Sequence, residues 1–188
     1  SLSIFEEGFS QAAISTVTAA SRKDLLTLIN KSLVQRVRPG RFNLHALVNE
    51  YATSKLSTQQ NLALQDAHKT YFLQMLLDHV DKLKGSQTQE ALDDIGGNLR
   101  NIQVAYFSGF RFLAIEAQTQ TSWGLRRFYE LRARFAEGIY FFEQAAQNLG
   151  PISNEVSTQS LAVLNAERAW LLQCTGRYQE AVTLAEES

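Results

Sequence analysis

Arg41-Phe42-Asn43-Leu44-His45-Ala46-Leu47-Val48-Asn49-Glu50-Tyr51-Ala52 decides the fold, because in it a short alternating strand runs straight into an amphipathic helix. His45 stands at the junction, in the first turn of that helix. There it lies beside unpaired backbone N–H groups and the positive end of the dipole, a position suited to a phosphate. Just upstream, Leu33-Val34-Gln35-Arg36-Val37 and Arg41-Phe42-Asn43-Leu44 flank Arg38-Pro39-Gly40. Two alternating segments around a Pro-Gly turn predict a β-hairpin.

Before the hairpin, residues Glu7 to Ala20 carry Phe9, Ala12, Ala13, Ile14 and Val17 at helical spacing. Ser21, with Asp24 three residues on, is a good N-cap for a second helix. That helix holds Leu25, Leu26, Leu28 and Ile29 and fades near Ser32. Helix, helix, hairpin is the order of a winged helix, with the hairpin as the wing. The helix from His45 to about Leu56 is expected to pack back through Leu47, Val48, Tyr51 and Leu56.

Only Pro39 and Pro151 interrupt the chain, so helices can run long and the fold is expected to be mainly α. A long helix is predicted from Ser57 to about Lys84, through Leu62, Leu64, Ala67, Tyr71, Phe72, Met75, Leu76 and Val80. Gly85-Ser86-Gln87 ends it. From about Thr88, the residues Leu92, Ile95, Leu99, Ile102 and Ala105 form a buried stripe. Gly96-Gly97 falls inside that stripe and predicts a kink or a split there.

The last third is repetitive. Ala133-Arg134-Phe135-Ala136-Glu137-Gly138 recurs as Gly176-Arg177-Tyr178-Gln179-Glu180-Ala181, an offset of 43 positions (176 minus 133). Each copy follows a helix, about Ser122 to Arg132 and about Glu155 to Thr175, and starts another. Small residues allow close approach and the aromatic is expected to fill the gap, which is the physics of a helical-hairpin repeat. The offset exceeds the roughly 34 residues of a tetratricopeptide repeat. The linker Leu149-Gly150-Pro151-Ile152-Ser153 is expected to absorb the excess.

The 188 residues are 45% hydrophobic and 20% charged, the composition of a soluble globular protein. With 18 Lys+Arg against 19 Asp+Glu and a sequence pI near 6.3, no overall positive excess draws the whole surface to nucleic acid or anionic lipid. The single Cys174 excludes an internal disulfide framework, and no Cys/His group has zinc-ligand spacing. A cytoplasmic setting is expected. The chain opens Ser1-Leu2-Ser3-Ile4-Phe5 without methionine, already in hydrophobic sequence, and reads as an excised fragment.

With hairpin, histidine and repeats in place, the chain resembles the C-terminal half of a STAND-type (NB-ARC-like) signal-transduction ATPase. It looks most like bacterial transcriptional regulators that join such an ATPase to tetratricopeptide repeats. The matching pieces are Leu2-Ser3-Ile4-Phe5-Glu6-Glu7-Gly8-Phe9, Leu28-Ile29-Asn30-Lys31-Ser32-Leu33-Val34 and Phe42-Asn43-Leu44-His45-Ala46-Leu47-Val48-Asn49-Glu50-Tyr51-Ala52. Gly97-Asn98-Leu99-Arg100-Asn101-Ile102 and the two repeat signatures complete them. The resemblance implies a winged-helix domain over residues 1–57, a helical linker or bundle over 58–118, and tetratricopeptide-like repeats over 119–188 that continue beyond the fragment.

The resemblance also implies a function. In that family the winged helix follows the nucleotide-binding core and closes over bound ADP, and an "MHD" motif supplies a histidine to the ADP phosphate. Its equivalent here is Leu44-His45-Ala46, with Ala46 where the family has Asp. His45 is the one nucleotide-contacting residue carried over. ADP or ATP belongs to the intact protein, and the fragment itself holds no cofactor and no metal. No Gly-x-x-x-x-Gly-Lys-Ser/Thr occurs here, so the fragment is not expected to be an enzyme. The partners implied are the upstream nucleotide-binding domain, an inducer or protein on the repeats, and a further copy in an oligomer; no membrane is expected.

Several residues keep two readings. By pattern alone, His45 also fits a helix-start histidine bonded to a neighbouring carbonyl. Arg36, Arg38 and Arg41 cluster on the wing, where they could meet DNA phosphates or another domain. The helix ahead of it, Asp24-Leu25-Leu26-Thr27-Leu28-Ile29-Asn30, offers few groups to base edges, which favours the interdomain reading. His68 and His79 lie 11 positions apart (79 minus 68) and cannot share one metal. The pairs Asp93-Asp94 and Glu186-Glu187 lack a nucleophile and are read as solvated. Phe141 and Phe142 diverge by about 100°, so one is expected to be exposed. Arg126, Arg127, Arg132 and Arg134 are candidates to line a concave face. Two alternatives stand beside the regulator: a DNA-binding winged helix with a helical effector domain, and a stand-alone repeat scaffold for protein interaction.

Overall fold

The computed structural model describes residues 1–186. It is mainly helical, with ten α-helices among the described residues and one small three-stranded antiparallel sheet. Two compact units form, Ser1–Phe72 with Gly97–Ala105, and Leu73–Gly96 with the residues from Tyr106 onward. No helix among the described residues is long and apolar enough to cross a membrane.

In the first unit a 3-10 turn at Leu2–Ile4 precedes β1 (Phe9–Ser10), α1 (Gln11–Thr18), α2 (Arg22–Asn30), β2 (Val34–Arg38), β3 (Arg41–Leu44) and α3 (Ala46–Ser54). The expected hairpin is present, with Val34 opposite Leu44 and Arg36 opposite Phe42. Between Arg36 and Arg38 the register slips, so that Arg38 faces Arg41. β1 pairs on the other side of β3, giving the order β1-β3-β2.

That third strand corrects the expected helix over Glu7 to Ala20. Phe9 is not on a helix face but pairs with Phe42 and is buried. The helix begins only at Gln11, because Ser10 is extended and its hydroxyl accepts the Ala13 N–H at 3.1 Å. A period of 3.6 was satisfied by residues that happen to straddle a strand and a helix. Ser21 and Asp24 form the expected capping box, and α2 buries Leu25 alone.

α4 (Thr58–Val80) runs from the first unit into the second. Ser57 and Gln60 cap it reciprocally at 3.2 and 3.0 Å. The helix stops four residues before the expected Lys84, and Lys82–Lys84 is a 3-10 turn instead. The stripe from Leu92 to Ala105 is buried as expected, and the helix divides at the paired glycines into α5 (Thr88–Gly97) and α6 (Leu99–Gly109).

The second unit continues with α7 (Ile115–Leu131), α8 (Phe135–Gln147), α9 (Glu155–Cys174) and α10 (Tyr178–Glu186). α7 starts seven residues before the expected Ser122 (122 minus 115). Each hairpin closes with the same turn. Arg134 N–H reaches the Tyr129 carbonyl at 2.8 Å and Ala133 N–H the Glu130 carbonyl at 3.0 Å. Arg177 reaches Leu172 and Gly176 reaches Gln173, both at 3.0 Å. These are Schellman closures, in which the pivot residue is left-handed: Ala133 at φ 52° and Gly176 at φ 78°.

What fills the hairpins differs from expectation. Tyr178 is 66% exposed and Phe135 half-buried, so neither signature aromatic plugs a gap. Close approach is set by Gly138, where a Cβ would stand 2.6 Å from Leu171 Cδ1 and 2.9 Å from Tyr129 Cβ. The core comes from Tyr129, Phe128, Phe141, Phe142 and Leu171, all buried. Both adjacent phenylalanines are inside: Phe141 meets Tyr106, Phe107 and Tyr129, and Phe142 is fully buried with its ring centre 5.3 Å from that of Phe141.

Candidate functional site

β3 delivers the chain to His45, which is the N-cap of α3 with extended backbone. Its Nδ1 accepts the Leu47 N–H at 3.4 Å, and its carbonyl closes the first turn to Asn49 at 2.9 Å. An accepting Nδ1 leaves the proton of the neutral ring on Nε2. The side chain is exposed, and with Nδ1 turned to the Leu47 N–H its Nε2–H points away from the start of α3, whose other first-turn N–H groups have no intrahelical partner. A donor set of this kind can meet an oxyanion. The pattern-based alternative, a bond to a neighbouring carbonyl, is not the one formed: His45 caps its own helix.

No residue of α3 is buried, which corrects the expected packing. Leu47 is 71% and Tyr51 64% exposed, while Val48 and Leu56 are half-buried. Lys55 Nζ lies 5.2 Å from the Tyr51 ring centre. Leu62, early in α4, is also exposed.

The three wing arginines part company. Arg36 lies 5.7 Å from the Phe42 ring centre and is exposed. Arg41 turns inward: Nη1 donates to Asn98 Oδ1 at 2.9 Å, and Nη2 donates to the carbonyls of Gly8 and Gly97. The guanidinium thereby ties the strand to the carboxyl end of α5, a favourable place for a cation. Arg38 remains exposed beside it.

Sequence reasoning missed the polar centre of the first unit. Asn101 is fully buried; its Oδ1 accepts the Glu6 N–H at 3.0 Å and the His68 Nε2–H at 3.1 Å. Its Nδ2 has no partner among the described residues. His68 packs on Phe72 with ring centres 4.6 Å apart. Burial lowers its pKa below the usual histidine value, partly opposed by the Asn101 bond and by Glu6. The signal was present, since Asn98 and Asn101 interrupt an otherwise apolar stripe.

His79 is a core residue too, with Nδ1–H donating to the Met75 carbonyl at 2.7 Å and Nε2 at 3.1 Å from Asp94. Asp93 pairs with Arg132. Among the described residues no group of His, Cys, Asp and Glu could hold a metal. Glu187, half of the other carboxylate pair, lies outside the described residues.

The arginines expected to line a concave face are committed to carboxylates. Arg126 bonds Glu130 and Glu167, Arg127 lies 3.2 Å from Glu130, and Arg134 bonds Glu137. Arg177 repeats the last arrangement on Glu180. In both copies the pair lowers the carboxyl pKa, chiefly through the arginine's hydrogen bonds. The conserved spacing of the two signatures within this chain is thus explained by a helix-start clasp.

No protein-family model, curated protein or solved structure matches this chain.

Proposed function

We propose that this chain is the winged-helix and tetratricopeptide-like repeat region of a STAND-type regulator of transcription in bacteria, working in the cytoplasm. In this reading α1, α2 and the β2–β3 hairpin form the winged helix. α3 presents His45 to ADP held by a separate nucleotide-binding domain and stabilises the off state. The hairpins from α7 to α10 receive an inducer or a protein partner. Binding there favours the open form, and ATP exchange permits oligomerisation, a shift between two populations.

The observation that carries the reading is the character of α3. It begins with an exposed histidine whose Nε2–H is free to donate, and along its side Leu47 and Tyr51 face outward. A helix with a phosphate-friendly start and an uncovered apolar side suits contact with a nucleotide-bearing domain. The order of helix, helix and hairpin, and the same closed turn at Ala133 and Gly176, support the two halves of the assignment. Direct DNA binding is disfavoured, because Arg41 is engaged internally.

The test uses the intact protein that carries the nucleotide-binding domain. Leu47→Asp with Tyr51→Ser should speed ADP release and raise resting activity. Unchanged ADP release with normal folding would remove the off-state latch from the account.

A further inference from the structure

His79 stands in the last turn of α4 and is buried, with both ring nitrogens engaged. Nδ1 lies 2.7 Å from the Met75 carbonyl oxygen, and Nε2 lies 3.1 Å from Asp94 Oδ2 on α5. A carbonyl and a carboxylate only accept, so each contact is a hydrogen bond only when the nitrogen facing it carries a proton. The imidazolium completes both bonds at once. A helix carboxyl end is also a favourable place for a cation.

The ring joins two elements of the second unit. α5 carries adjacent carboxylates with different partners: Asp93 pairs with Arg132, the C-cap of α7, and Asp94 with His79. Glu90 of the same helix meets Lys82, in the turn after α4, at 3.2 Å. Lysine and arginine keep their charge across the physiological range, and histidine does not. Of these three ties, the one through His79 is the one that pH can undo. The other charged groups of the elements packed here have partners of their own. Asp78 accepts from Gln74 at 2.8 Å, and Lys84 meets Asp81 at 2.9 Å. On α7, whose Gly124 lies against Leu76 and Val80, Arg127 and Glu130 are 3.2 Å apart.

We propose that His79 is a pH-sensitive latch between α4 and α5, in which the doubly protonated ring bridges the Met75 carbonyl and the Asp94 carboxylate and loss of one proton releases Asp94. Nδ1–H keeps its short bond within α4, so Nε2 is the nitrogen that gives up its proton. It then turns a lone pair toward a carboxylate whose side chain is 53% exposed, and that carboxylate swings into water. The latch does not depend on the regulator assignment or on His45.

The test is urea unfolding of the chain, of Asp94→Asn, of His79→Gln and of the double variant, each at about pH 5.5 and about pH 8.5, either side of the range in which histidine changes charge. Carboxylates stay ionised over that interval, and His45 and His68 are common to all four proteins and cancel in the cycle. The coupling of His79 to Asp94 should change the unfolding constant about tenfold at the lower pH and less than about twofold at the higher. A carboxamide both donates and accepts, so Asp94→Asn pairs with the ring in either state. The effect of Asp94→Asn alone carries the same pH signature, so the result does not hinge on the folding of His79→Gln. Hydrogen exchange locates the change: α5 amides, corrected for intrinsic rates, should lose protection over the same interval in the wild type and keep it in Asp94→Asn. Equal coupling at the two pH values, or α5 protection that does not fall in the wild type, overturns the latch.

Discussion

Arg126 of α7 donates through Nε to Glu167 of α9 at 2.6 Å, and this bond joins the first helices of two successive hairpins. Nη1 of the same arginine reaches Glu130 at 2.6 Å, and its guanidinium lies 4.8 Å from the centre of the Trp170 ring. Burial raises the Glu167 pKa, against the pull of Arg126. Removing the arginine would strand a carboxylate that is mostly out of water. Arg126→Ala should therefore destabilise the protein by about 3–5 kcal/mol. Glu167→Gln should cost less, since it leaves no lone buried charge and Glu130 still pairs with Arg126. Urea unfolding of the two variants and their double mutant measures the coupling.

The two Schellman turns make a reciprocal prediction. Ala133 occupies the left-handed position that Gly176 occupies in the second copy. A Cβ there costs about 1 kcal/mol relative to glycine. Ala133→Gly should raise stability by up to that amount, and Gly176→Ala should lower it by a similar amount. Differential scanning calorimetry would show opposite shifts in Tm.

Gly138 stands at a close helix approach in the second unit. Its missing Cβ would lie 2.6 Å from Leu171 and 2.9 Å from Tyr129, two buried residues. Gly138→Ala should therefore cost about 1–3 kcal/mol from overpacking despite alanine's better helix propensity. A neutral or stabilising effect in chemical unfolding would show that α8 can shift to make room.

Much of this architecture is legible in the residues. Pro39-Gly40 announces the hairpin, Ser21 with Asp24 the start of α2, and Gly96-Gly97 the break between α5 and α6, because each acts through local backbone chemistry. The duplicated Arg-x-x-Glu marks the two helix starts for the same reason. The failures share the opposite cause. Phe9 belongs to a strand because its partner Phe42 is 33 positions away (42 minus 9), and no local period reports that pairing. Leu47 and Tyr51 look like core on a helical wheel, yet no element of the first unit covers them. At the candidate site His45 was legible as a helix start, whereas the inward turn of Arg41 depends on carbonyls of Gly8 and Gly97 that carry no side-chain signal.

His68 gives a pH dependence whose sign follows from its burial. Its pKa in the folded protein lies below the ordinary 6.5, so below pH 6.5 the unfolded chain binds more protons than the folded one. Stability contributed by neutral His68 is complete above 6.5 and declines as pH falls from 6.5 toward the folded value. An NMR titration should place the His68 midpoint below that of an unfolded reference peptide. Replacing Asn101 by Leu, which removes the bond that favours the charged ring, should lower it further.

The central claim is that His45 holds a nucleotide in a neighbouring domain. Calorimetric titration of ADP into the intact protein and its His45→Ala variant tests it most directly. The account predicts an affinity about tenfold weaker in the variant, equivalent to about 1.4 kcal/mol, together with raised resting activity. Equal ADP affinity in two equally folded proteins would contradict it and leave His45 as a helix cap alone.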